Sequence, residues 1–275
     1  MDQNAIERAL AFIENNLRTD EALSNAALAG IAGYSEYHFI RLFREAVRLT
    51  PADYVRKRRI TEIVRSACGD GRTFSDAAFE WGFNSRENFT RAFQKEHGIL
   101  PTAFRSADCS LRLYEPFSFD RADPAPEVSA AHFAPFSLTV YPFGGDFPPK
   151  SWNRYNAGRR SVLLSGGRIV PDYGVMIRRP DGKLDYSIGI RTEDARGDLG
   201  GTVRMEVAGG IYAVFRTTPA GQHDFVERIQ RTWDWIYDVW MPKNGFRRGP
   251  GYEFERYTET SHTYSEEICV PLAAG

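Results

Sequence analysis

Two arginines, Arg41 and Arg91, stand in the same setting fifty residues apart. Each follows one phenylalanine by two places and precedes another by two. Arginine can donate two parallel hydrogen bonds to O6 and N7 of guanine in the major groove, and asparagine can do the same for adenine. Tyr37, Ile40 and Arg44 lie around the first arginine, and Arg86, Glu87, Asn88 and Thr90 around the second. On one exposed helix face, these side chains could touch base edges. A different chemistry is suggested near the end of the chain by Glu255. The same half of the sequence is crowded with rings, among them Trp152, Tyr173, Tyr186, Phe215, Trp235 and Tyr257. Aromatic faces around one carboxylate suit a lipophilic cation, through cation–π contact and charge pairing. The competing reading makes each ring core and makes Glu255 a surface strand residue paired with Arg256 or Arg216.

Spacing dictates the elements that must hold these groups. SEYHFIRLFREAVRLTPADYVR, from Ser35, is echoed by SRENFTRAFQKEHGILPTAFR, from Ser85. An internal repeat of this kind is one structural unit used twice. Phe39, Leu42 and Phe43 fall at i, i+3, i+4, as do Phe89, Ala92 and Phe93, which makes an inward helical stripe and leaves the arginines outside. Ser35 and Ser85 suit helix N-caps and are counted among the candidate DNA contacts. Upstream, residues 27–32 and 75–81 read as short helices of small residues, with Gly33 and Gly82 at tight turns; the pattern is helix-turn-helix. Pro51 opens a joining helix that reaches Cys68, with Gly69 and Gly71 as stops. At 1.5 Å per residue it spans about 26 Å, a spacer able to hold two recognition helices near the roughly 34 Å repeat of successive major grooves. Its run Arg56-Lys57-Arg58-Arg59 is available to phosphates, Arg58 included.

After Arg105 the periodicity changes. Pro116, Pro124, Pro126 and Pro135 mark 108–136 as extended linking chain with room for one edge strand. Beyond it SLTVYP, YGVMIRRP, DYSIGIRT, VRMEVAGG, IYAVFRT, YEFERYT and EEICVPL read as strands, with a turn at Pro180-Asp181-Gly182. One long helix interrupts them over 223–241, with Phe225, Ile229, Trp233, Ile236 and Trp240 on its inner face; Trp233 and Trp240 are assigned to the core. Alternation puts Glu253 and Glu255 on one strand face and Phe254 on the other. The expected fold class is α + α/β multi-domain. An all-α double helix-turn-helix with a linker helix occupies 1–107, a linker 108–136, and an α+β antiparallel-sheet domain 137–275.

Composition bounds the rest. The 275 residues, 42% hydrophobic, leave room for two domains. A net charge of −1 excludes a globally basic nucleic-acid binder, and residues 1–107 hold 15 basic against 14 acidic groups. Cys68, Cys109, Cys269 and five histidines are scattered, so no metal or other cofactor is expected. MDQNAIERALAFIENNL reads as an amphipathic helix and no run approaches transmembrane length, so a soluble, cytoplasmic protein without a membrane partner is expected.

Residues 1–107 resemble the DNA-binding domain of the AraC/XylS transcription regulators, especially the MarA/SoxS/Rob group. AGYSEYHFIRLFRE, TPADYVRKRRITEI and FEWGFNSRENFTRAFQKEHGILPTAFR carry that resemblance. It implies two rigidly joined helix-turn-helix units bound as a monomer to double-stranded promoter DNA. Base contacts are implied at Tyr37, Ile40, Arg41, Arg86, Glu87, Asn88, Thr90 and Arg91. Ile40 and the pair Arg86-Glu87 replace glutamines of the family, so the DNA sequence read should differ. Residues 137–275 resemble the GyrI-like effector-binding domain, through VAGGIYAVF, PGYEFERY and EEICVPL. This second resemblance implies two strand-helix-strand-strand halves around a cavity for a small hydrophobic or cationic effector, with Glu255 meeting the cation. Pro148-Pro149 and Gly158 are expected to interrupt the first-half helix near 147–165. The combined reading is a transcription regulator, not an enzyme, with activation as its sign and RNA polymerase as a further partner. Two alternatives stand beside it: a protein-interaction module in the C-terminal half, or a hydrolase in which Glu255 and a tyrosine activate water.

Overall fold

The computed structural model of the chain describes residues 3–19, 21–69, 72–105, 109–119, 125–145, 148–179, 181, 183–220, 224–260 and 263–273. The helix stop at Gly71, the domain boundary at 107, Pro124, and Pro180 and Gly182 of the expected turn lie outside the described residues. Two compact units divide the chain. One is built mainly from Met1–Ser106 with Leu111–Pro124, the other from Ala125–Ala273 with Ala107–Ser110.

The first unit is helical: α1 (Gln3–Asn15), α2 (Asn25–Ala32), α3 (Glu36–Val47), α4 (Pro51–Gly69), α5 (Phe74–Glu80) and α6 (Arg86–His97). The Ser24 hydroxyl caps α2 by accepting from the Ala27 amide at 3.2 Å. The helix ends at Gly33, whose φ of 78° is left-handed and open to glycine without strain. Gly82 repeats that conformation, at 79°, between α5 and α6. The apolar stripe of α3 buries Phe39, Leu42, Phe43 and Val47 against Ile6, Leu10 and Ile13 of α1 and Tyr54 of α4. In the second copy Phe89 and Phe93 of α6 close with Phe74 and Phe104 into a ring cluster, with centroids 5.3–6.5 Å apart. The doubled helix-turn-helix is therefore present, with α4 between the copies. Ser85 caps α6 by accepting from Asn88 N at 3.1 Å. Ser35 has the extended backbone of a cap, but its hydroxyl makes no capping bond.

The second unit holds β2 (Glu127–Phe133), β3 (Phe136–Gly144), α7 (Pro148–Ala157), α8 (Arg160–Ser165), β4 (Asp172–Arg178), β5 (Leu184–Arg191), β6 (Val203–Val207) and β7 (Gly210–Arg216). After these come α9 (Phe225–Trp235), a π-helical turn (Ile236–Trp240), α10 (Met241–Asn244), β8 (Glu253–Thr260) and β9 (Thr263–Pro271). With β1 (Cys109–Leu113) at one edge, the sheet order is β1-β2-β7-β9-β8-β4-β5-β3-β6. Every pair with a described register is antiparallel. The expected halves are visible in that order. β3, α7–α8, β4 and β5 form one, β7, α9–α10, β8 and β9 the other, and they meet where β8 pairs with β4.

Two expectations need correction. Residues 127–133 are not linker: β2 pairs with β7 through seven residue pairs, because Val128, Ala130 and Phe133 have apolar neighbours to bury against. Pro148 and Pro149 do not interrupt the first-half helix. They open α7, where the missing amide hydrogens have no helical partner to lose. The break comes at Gly158 and Arg159, and Arg159 is left-handed with φ 48°. Among the described residues no helix is long and apolar enough to cross a membrane.

Candidate functional site

On α3 and α6 the residues expected to reach DNA face outward. Tyr37 is 82% exposed, and Ser35, Arg41, Arg44, Arg86, Glu87 and Arg91 are exposed. Ile40, Ser85, Asn88 and Thr90 are half-buried, Ile40 leaning on the core of the first copy. Arg58 does not belong with them. It is 3% exposed and is held by Glu14 at 2.9 Å, Glu62 at 2.8 Å and the Tyr114 carbonyl at 2.6 Å. Burial opposes its charge, but hydrogen bonding and attraction to Glu14 more than offset that and raise its pKa. The neighbouring cations are also engaged. Arg59 donates to the carbonyls of Leu17 and Thr19, Lys57 pairs with Glu96, and Arg56 pairs with Asp53 at 2.6 Å. Lys57, Arg58 and Arg59 tie α4 to other elements and Arg56 pairs within α4, so Arg58 is not available to phosphates: charge counted without its partners does not report this.

The second candidate site is built on the seam between the two halves. The register places Glu255 of β8 opposite Gly174 of β4. Glycine is required there, since a Cβ at 174 would stand 2.0 Å from the Tyr186 hydroxyl. That hydroxyl donates to Glu255 Oε2, and Trp152 Nε1–H of α7 donates to the Tyr186 oxygen at 2.9 Å. From the other half, Trp233 Nε1–H of α9 donates to Glu255 Oε1 at 2.8 Å. Each half thus contributes one tryptophan to one carboxylate. The Trp152 ring lies 4.3 Å from that of Tyr257, and Trp233 stacks on Tyr237 at 6.1 Å. Glu255 and Tyr186 are buried, whereas Trp152, Trp233 and Tyr257 are half-exposed at the rim.

Electrostatics set Glu255 apart from its neighbour two residues earlier. Glu253 is fully buried but is met by Arg248 at 2.5 Å, Arg178 at 3.2 Å and the Tyr237 hydroxyl. None of the described ion pairs reaches Glu255. Burial raises its pKa, and the bonds from Tyr186 and Trp233 only partly offset this. Burial and the adjacent Glu255 charge push the Tyr186 phenol well up. Glu255 is thus a buried acid with both oxygens oriented and rings around it, and among the described residues no ion pair meets it.

Of the expected effector residues, Glu255, Trp152, Tyr186 and Tyr257 come together. Tyr173 does not: its register partner is Arg256, so it points to the opposite sheet face, where Arg191 donates to its hydroxyl at 3.2 Å. Phe215 and Trp235 pack on each other at 6.2 Å, and Phe215 on Trp240 at 4.8 Å, as core beneath the second-half helices. Trp233, assigned to the core, instead donates to Glu255. Arg256 and Arg216 both pair with Glu267, not Glu255. Gly174, Tyr237 and Glu266 are not among the residues expected from the sequence. Glu266 alone left a signal, an acid at the inward parity of the closing strand.

Residues 28–107 match the family described as a helix-turn-helix domain, and residues 128–273 the GyrI-like small molecule binding domain. The transcriptional regulator Rob of Salmonella typhimurium is 26% identical over 287 aligned positions, which cover 96% of this chain and 93% of Rob. The probable transcription factor PqrA of Proteus vulgaris is 33% identical over 105 residues, 38% of this chain and 86% of its own. The HTH-type transcriptional activator AarP of Providencia stuartii is 32% identical over 114 residues, 40% of this chain and 83% of its own. The doubled helix-turn-helix, the two-halved sheet and these matches over both units make one assignment: the chain belongs to the AraC-type helix-turn-helix transcription regulators that carry a GyrI-like domain.

Proposed function

We propose that this regulator reads promoter DNA with α3 and α6 and senses a lipophilic cation at Glu255. Tyr37, Arg41, Arg44, Arg86, Glu87, Asn88, Thr90 and Arg91 reach the bases or the adjoining backbone, with Ile40 limited to apolar contact such as a thymine methyl. The chain acts in the cytoplasm as an activator, one copy per site, and its second unit serves sensing rather than turnover. One observation carries the sensing claim: Glu255 is buried among rings, both its oxygens accept hydrogen bonds, and no described cation neutralises it.

Tetraphenylphosphonium is a suitable probe, being aromatic, permanently charged and free of acidic protons. At a hundredfold excess over Kd, binding to the folded state alone adds about 2.7 kcal/mol of stability. The full chain should therefore melt at higher temperature with this cation, and Glu255→Gln should lose that shift. A shift of equal size in the variant would move the site elsewhere. Ester turnover by the wild type, abolished in Glu255→Gln, would assign hydrolysis in place of sensing.

A further inference from the structure

Glu266 has no part in the reading above, yet its placement is the less ordinary of the two acids. Its side chain is 1% exposed, and neither carboxyl oxygen meets a donor at bonding geometry. On β9 it is the register partner of Tyr257, so it shares the face of Glu255 two residue pairs along the strands. The polar groups beside its carboxyl are the Glu255 carboxyl and the Tyr257 hydroxyl. Its backbone is fixed on both sides by Thr217. The Glu266 amide donates to Thr217 Oγ1 at 3.0 Å, and its carbonyl accepts from Thr217 N at 2.9 Å.

The described groups that face the pair bring no compensating charge. β5 contributes Tyr186, β8 Tyr257, α7 Trp152 and α9 Trp233. β4 contributes Asp172, the register partner of Tyr257, which accepts from Tyr155 of α7 at 2.7 Å. Among the described residues no ion pair reaches either carboxyl; the nearby arginines are spent on Glu253 and Glu267. Two adjacent carboxylates cannot both stay ionised in such a place, as in other buried acid pairs. The hydrogen bonds decide which one keeps the proton. Both Glu255 oxygens already accept, which favours the anion there. Beside Glu266 stands only the Tyr257 hydroxyl, which falls short of bonding geometry, and a proton on Glu266 would itself become a donor toward Glu255.

We propose that Glu255 and Glu266 form one binding site holding a single proton, carried on Glu266 and released when a ligand brings a second positive charge. This rests on the cation reading of the pocket and extends it to ligand class. The empty site presents one negative charge. A permanent monocation binds with no proton exchanged. A compact aromatic dication binds as the Glu266 acid ionises and its proton passes to the buffer, so that two charges meet two.

Two measurements on the full chain test this. Infrared spectra of the ligand-free protein at neutral pH should show a protonated-carboxyl C=O band that disappears in Glu266→Gln and persists in Glu255→Gln. Titration calorimetry in buffers of different ionisation heat should give no proton release with tetraphenylphosphonium and release of about one proton with benzyl viologen. The calorimetry needs no variant and stands even where a substitution prevents folding. A band lost in Glu255→Gln but kept in Glu266→Gln overturns the proton's location, and dication binding without proton release overturns the two-charge claim. If neither cation binds, the pocket reading fails and the ligand clause with it, while the band still decides which acid is protonated.

Discussion

A guanidinium serves DNA recognition best when its own protein does not neutralise it. Arg41 is exposed, and its described polar contact is a long one, 3.5 Å to His38 Nδ1. Arg91 is exposed but held at an angle. It donates to Asn88 Oδ1 at 2.5 Å, and Asn88 donates to Asn84 Oδ1 at 2.7 Å. Among the described residues neither arginine is paired with an acid, so Arg41→Ala and Arg91→Ala should each weaken specific DNA binding by about 1–3 kcal/mol. Titration of a duplex selected from a random pool measures both, and two unchanged affinities would show that other faces meet the DNA. A residue on the same helix makes a separate pH prediction. His97 packs on Phe93 with ring centroids 4.7 Å apart, and burial lowers its pKa from 6.5 to about 4. The folded chain therefore holds the imidazole neutral while the unfolded chain takes up a proton below 6.5. Its contribution is complete above that value and is lost as pH falls toward 4. Unfolding midpoints across this window should drop in the wild type and drop less in His97→Gln; equal slopes would exclude His97 as the source.

At the scale of the element, α4 shows how four consecutive cations can be structural. Arg58 ties α4 to α1 through Glu14, and Lys57 ties it to α6 through Glu96. Removing one partner of a buried pair strands the other, at a cost of about 3–5 kcal/mol. Arg58→Ala should lose stability on that scale in urea unfolding and leave the salt slope of DNA binding unchanged. A stable variant with a shallower slope would restore the phosphate role. This element also marks where legibility ends. Helix period, caps and glycine turns are local, so the stripe of Phe39, Leu42 and Phe43, the Ser85 cap and the left-handed Gly33 are readable residue by residue. Whether Arg58 meets a phosphate or Glu14 depends on a helix 44 residues away, which no local rule reports. The sheet repeats the lesson. Alternation correctly sets Glu253 and Glu255 against Phe254, but it cannot say which strand neighbour shares their side. The pairing of Tyr173 with Arg256 is what turns that ring away from the site. Helical period places Trp233 on the inward face, and inward is where Glu255 lies.

For the molecule as a whole, the remaining question is whether a cation bound at Glu255 is felt at the DNA. A ligand shifts a two-state equilibrium only by its difference in affinity for the two states. Two domains in one chain could bind both partners and still be independent. A regulator cannot be so built, and coupling between distinct sites typically amounts to 1–3 kcal/mol, about 5–150-fold in affinity. Tetraphenylphosphonium at saturation should therefore change the affinity of the full chain for its selected duplex by a factor in that range. Linkage then requires the duplex to change cation affinity by the same factor, so the two titrations check one another. Glu255→Gln should abolish the effect of the cation and leave ligand-free DNA affinity as it was, since Glu255 belongs to the second unit and the reading residues to the first. A cation that binds tightly at Glu255 and leaves the DNA titration untouched would make the second unit a passenger, and signalling would have to enter by another route.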